Sequence, residues 1–124
     1  MKKSASIIAT ALTISMLWSC TSKQEKMENR MKEFVASYET QAIPLYRESA
    51  LASWNANITG TSEDFAKSEK ASFEYAKIFT DSKAFAELKE IRESGLVKDS
   101  ILARQIELLY NSYLGGQVDT SLIA

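Results

Sequence analysis

The 124-residue sequence has no histidine, one cysteine, one proline and four glycines. Each shortage excludes something. Without histidine there is no H-E-x-x-H metal helix and no Ser/His or Cys/His catalytic pair. A single cysteine, Cys20, rules out an internal disulfide. Few Gly and Pro argue against a turn-rich β protein and for helices joined by short connections. The formal net charge of −1 offers no basic balance for nucleic acid, and no acidic run marks a disordered tail. Glycine-rich phosphate-binding signatures are also missing.

What is present begins with a leader. Lys2 and Lys3 precede an uncharged apolar run, Ala5 to Trp18. The run is shorter than the roughly 20 residues that span a bilayer as a helix, and fits a signal-peptide core. It ends in Leu17-Trp18-Ser19-Cys20, which resembles the bacterial lipobox, with Trp18 standing where a small residue is usual. That resemblance implies cleavage before Cys20, lipid attachment to its thiol, and a place in the bacterial cell envelope, anchored to a membrane. The chain then divides into a signal peptide (1–19), a polar tether (20–28) and a helical region (29–124). Loss of residues 1–19 removes two lysines and no acid, leaving a formal charge of −3.

The expected fold class is all-α, with about four helices. Met27, Met31, Phe34, Tyr38, Ala42, Leu45, Ser49 and Ala52 recur every three or four residues, which predicts one long helix over 25–53. Pro44 predicts a kink and not a stop, because the periodicity runs through it. A second apolar face, Ile43, Ala50 and Trp54, predicts packing on two sides. Asn55 to Thr61 reads as a break closed by Gly60. Thr61-x-x-Asp64 is a near capping box for the second helix, whose expected inward face is Phe65, Ser72, Ala76 and Phe79, flanked by Phe73 and Tyr75. A cap at Asp81 or Ser82 starts the third helix, with Phe85, Leu88 and Ile91 inward and Gly95 closing it. The fourth starts at Asp99 or Ser100, carries Leu102, Ile106, Leu109 and Tyr113, and ends at Gly115-Gly116. Asp119 to Ser121 reads as one more helix start, which suggests a partial sequence.

Trp54, Asn55 and Asn57 stand out among the polar and aromatic residues. The plain expectation is structural: Trp54 as a core anchor, the asparagines as cap or turn residues. The carboxylates around Glu87, Glu90 and Glu93 alternate with Lys83, Lys89 and Arg92, as on a solvated helix face with i, i+4 pairs.

Residues 45–59, LYRESALASWNANIT, resemble the N-terminal region of the angiotensin-converting-enzyme-like peptidyl-dipeptidases, which are helical zinc metallopeptidases. The likeness is most specific over Phe34 to Thr59 and looser to Leu114. It implies that these helices, with Trp54, Asn55 and Asn57, form part of a lid over a peptide cleft. Zinc and peptide substrate would then belong to a longer parent protein, whose C-terminal peptidase region carries the ligands. No catalytic or metal-binding residue in this chain matches the family's. The rival expectation is a complete small helical lipoprotein, an interaction module that binds a protein partner.

Overall fold

The computed structural model describes the backbone of residues 2–117 and the side chains of residues 23–117. Calls at Cys20 and in the 1–19 leader rest on side chains outside that range, and the helix start at Asp119 to Ser121 lies outside it altogether. Four α-helices are present: α1 (Lys2–Thr59), α2 (Ser62–Ala76), α3 (Ser82–Ser94) and α4 (Ser100–Gly116), with a 3₁₀ turn at Lys77–Thr80. No strand occurs among the described residues. The all-α expectation holds.

The stripe on α1 is where the spacing put it. Met31, Phe34 and Ala42 are buried, and Met27, Tyr38, Leu45, Ser49 and Ala52 are half-buried. The helix passes through Pro44 without a break. It also continues past Ser53, six residues beyond the expected end, because the inward stripe goes on: Ala56 follows Ala52 by four residues and is 1% exposed. The stop comes at Gly60, whose φ of +64° is open to glycine without a Cβ clash. Its N–H reaches back to the Ala56 carbonyl at 2.9 Å.

The core lies against the first half of α1. Met31 and Phe34 join Leu88 and Ile91 of α3 and Leu102, Ile106 and Tyr113 of α4 in one buried cluster. The caps that fix α3 and α4 are as expected from sequence. Asp81 accepts the N–H groups of Lys83 and Ala84, and Asp99 those of Ile101 and Leu102. A further cap comes from far away in the chain. Glu28 Oε1 on α1 accepts the N–H of Lys98 (3.0 Å) and Asp99 (3.2 Å), so the negative end of a carboxylate meets the entrance of α4.

The expected pattern of i, i+4 pairs on α3 is only partly realised. Lys89 and Glu93 lie 3.8 Å apart. Glu90 instead makes a two-pronged bond to Arg30 on α1, at 2.9 and 3.1 Å, and Arg92 makes one to Glu107 on α4, at 2.8 and 3.0 Å. These forks fix the relative register of three helices more than they stabilise them, since exposed ion pairs contribute little.

α2 folds back along the second half of α1, and here the expected face is wrong. Phe65 and Phe73 are 51% and 62% exposed, and Ser72 and Ala76 are also exposed. The inward line is Asp64, Ser68, Ala71 and Tyr75. Weight of hydrophobicity pointed to the phenylalanines, but the facing line of α1 is made of small residues, and small residues opposite small residues bring the two helices together.

Candidate functional site

The hairpin of α1 and α2 is the part of the fold whose surface the core does not explain. No residue between Ala42 and Tyr75 belongs to the core cluster or to the partly buried residues packed on it. The two helices meet through Ala52, Ala56 and Ala71 and through two serine pairs, Ser49–Ser72 at 3.0 Å and Ser53–Ser68 at 2.8 Å. Hydroxyl pairs of this kind satisfy each other without needing bulk. At the α2 start, Thr61 Oγ1 accepts the Asp64 N–H at 3.2 Å. The reciprocal half of the capping box is replaced: the Thr61 N–H turns to Thr59 Oγ1, and Asp64 Oδ2 accepts both hydroxyls.

Small residues inside leave the large ones outside. Ile43, Tyr46, Leu51, Trp54 and Ile58 on α1, with Phe65 and Phe73 on α2, are all more than half exposed. That corrects the expectation for Trp54. It is no core anchor: it sits inside a continuous helix, two residues from Ala52 and Ala56, and that spacing turns it outward. Asn55 and Asn57 are likewise neither caps nor turn residues. Asn57 Nδ2 bonds to the Ser53 carbonyl within the same helix at 2.8 Å. Asn55 lines a shallow groove of about 330 Å³ with Leu51 and Lys67. The structure therefore keeps the three residues on one helix but not in one site. The missed residues are Ser53, Ala56, Ser68 and Ala71. Their three- and four-residue spacing was in the sequence, without the hydrophobic weight that draws notice.

A ladder of edge-on aromatic contacts joins the arm to the core. It runs Tyr46–Tyr75 (5.6 Å), Tyr75–Phe79 (5.6 Å), Phe79–Tyr113 (5.4 Å) and Tyr113–Phe34 (6.0 Å), within the range where ring edges attract ring faces. Beside it lies the largest cleft, about 700 Å³. Its polar groups are already occupied with structural tasks. Lys77 pairs with Glu74 at 2.9 Å, Asp81 caps α3, and Glu87 lies 3.7 Å from Arg30. No described polar or charged side chain is buried, so nothing in the cleft has the desolvated charge that acid–base chemistry draws on. Among the described residues no group of three or more metal-ligating side chains converges.

The titrating groups report on stability at both ends of the pH scale. Burial, then the hydrogen bond to Tyr75, pushes the Tyr38 phenol well above 10.0, and burial raises Tyr113 as well. The Lys98 N–H and then the Gln24 amide hold Glu28 below 4.5; Arg30 and Arg92 do the same for Glu90 and Glu107. For the carboxylates the folded value is the lower one. Their contribution is present above the ordinary value and is lost as pH falls below 4.5 through the folded values. For the tyrosines the folded value is the higher one, so their contribution is complete below 10.0 and is lost as pH climbs beyond it. Tm should be level from about pH 6 to 9 and fall on both sides. Tyr38→Phe should remove part of the alkaline fall; an alkaline limb unchanged in that variant would mean Tyr38 ionises freely in the fold.

No family model, no curated protein and no solved structure matches this chain.

Proposed function

We propose that this chain is a helical docking module of the bacterial cell envelope, tethered through a lipid on Cys20 and presenting the outward side of the α1–α2 arm to a protein partner. One observation carries the reading. The arm closes on itself through serine and alanine while seven large apolar side chains face solvent. Apolar area on that scale marks a binding surface. Nothing in the described residues competes as a chemical site. Among them no helix is long and apolar enough to cross a membrane, which is consistent with a tether supplied by the lipobox-like Leu17-Trp18-Ser19-Cys20.

The exposure of both sides of the arm also supports a second reading. As the N-terminal lid segment of a zinc peptidase resembling peptidyl-dipeptidases, the chain would have its outward faces covered by the rest of a larger helical protein. That protein would supply zinc, the general base and the peptide site. A native polypeptide of several hundred residues carrying H-E-x-x-H would favour this second reading over the first.

Two measurements test the docking module. A photo-crosslinking amino acid at position 54 should give adducts in cells, whereas one at Lys89 on α3 should not; equal yields at both positions would remove the case for the arm. The full chain should take up labelled fatty acid and sediment with membranes, and Cys20→Ala should lose both. Membrane association that survives that substitution would end the lipid-tether part of the proposal.

A further inference from the structure

The outward line of α1 reads the same from both ends. Lys32, Ala36, Glu39, Ile43, Arg47, Ala50 and Trp54 follow at intervals of four, three, four, four, three and four residues. Those intervals keep all seven on one side of a helix, and all seven are exposed, Ile43 at 61% and Trp54 at 67%. Ile43 is the midpoint. Four residues to either side stand Glu39 and Arg47, seven to either side Ala36 and Ala50, and eleven to either side Lys32 and Trp54.

We infer that this face binds a second copy of the same chain, with the two α1 helices antiparallel and the two-fold axis at Ile43. This deepens the docking reading above and rests on it. A two-fold axis brings each position onto its mirror position in the partner. Ile43 then meets its own copy. Glu39 meets Arg47 of the partner subunit, a pair of opposite charges formed twice. Ala36 meets the partner's Ala50, and two small residues let the helices approach closely. Lys32 meets the partner's Trp54, where an ammonium can lie over an indole face. A parallel pairing has none of this: it sets Glu39 on Glu39 and Arg47 on Arg47.

The charges on this face are available. Lys32, Glu39 and Arg47 make no ion pair within the chain among the described residues. Glu39 and Arg47 are eight residues apart, roughly 12 Å along the axis, too far to reach each other on one helix. Pro44 lies a step round from Ile43, so its ring is off the central contact. The seam covers about 33 Å of helix, a small interface, so the dimer should be reversible, with a dissociation constant on the order of 10 µM.

The test is a charge exchange read by sedimentation of the full chain in mild detergent, with circular dichroism to verify the fold of each variant. Glu39→Arg and Arg47→Glu should each weaken dimerisation about tenfold or more, because each sets like charges together twice. The double exchange should return to within about threefold of the parent, since it restores the pair with its signs reversed. In a Cys20→Ser background, Ile43→Cys should form a disulfide-linked dimer on oxidation, whereas Arg47→Cys should not, because its mirror position is Glu39. Equal linking at both positions would overturn the antiparallel register. A monomer at every concentration up to about 0.5 mM, or a dimer indifferent to both single exchanges, would overturn the inference. The docking reading is separable: a monomeric chain with position-54 adducts of unlike mass would keep that reading and discard the second copy.

Discussion

Leu88→Ala should cost about 3 kcal/mol of folding stability and lower Tm by on the order of 15 °C. Leu88 has no exposed surface and belongs to the cluster that joins α1, α3 and α4. Truncation there loses the transfer energy of the missing atoms and leaves a hole that three helices cannot close together. A domain of this size has on the order of 5–10 kcal/mol in total, so the variant should sit close to unfolding. The control is Ile43→Ala, on the outward face of α1, which should change the monomer's stability by less than about 0.5 kcal/mol. Thermal melts followed by circular dichroism check both. Equal effects at the two positions would mean that the inside and outside of α1 had been misassigned.

Gly116→Ala should destabilise by about 1–3 kcal/mol, although glycine to alanine in a helix ordinarily gains up to about 1 kcal/mol. The reason is a close approach. A Cβ at Gly116 would lie 2.6 Å from the Phe79 carbonyl carbon and 2.9 Å from its Cβ, and nearer still to the carbonyl oxygen. Two of those atoms are backbone, so the end of α4 would have to lift off the 3₁₀ turn. It would carry with it the Gln117 side-chain bond to the Phe79 carbonyl, 2.9 Å. Gly115 is the internal comparison: nothing lies within 4 Å of its Cβ position. Gly115→Ala should therefore be neutral or slightly stabilising. The opposite signs of two neighbouring substitutions, read from urea midpoints, make the test. Two stabilising alanines would show that α4 does not dock on the turn.

Elements were legible in the sequence wherever large apolar residues did the packing. The stripe from Met27 to Ala52, the faces of α3 and α4, and the caps at Thr61, Asp81 and Asp99 all follow from spacing and cap chemistry. Gly60 and Gly95 were identifiable as helix ends because few other residues accept a positive φ. Reading failed where small residues did the packing. Ser53, Ala56, Ser68 and Ala71 have little hydrophobic weight, so α1 was ended too early and α2 was turned the wrong way. Trp54 was placed inside for the same reason: a tryptophan attracts the assumption of burial, whereas its position relative to Ala52 and Ala56 decides the matter. The Glu28 cap on α4 joins residues 70 and 71 positions apart, and no local pattern could show it. The candidate surface was half legible. Ile43, Ala50 and Trp54 were grouped from spacing alone, but that they stay uncovered is a property of the fold.

The length of α1 sets a distance. From Lys23 to Thr59 there are 36 residue steps, and at 1.5 Å each the hairpin tip stands about 54 Å along the axis from the first described side chain. That exceeds the roughly 30 Å hydrocarbon thickness of a bilayer. Whatever the tip touches is thus held at arm's length from whatever holds the beginning of the rod. The spacing is adjustable in units that leave the outward side facing almost the same way. Deleting seven residues draws the tip in by about 10 Å while rotating it only about 20°. Deleting five draws it in by about 7 Å but turns it by about 140°, presenting the opposite side. Reach and aim are therefore separate quantities on this helix, one governed by how many residues are counted and the other by how that count divides into turns.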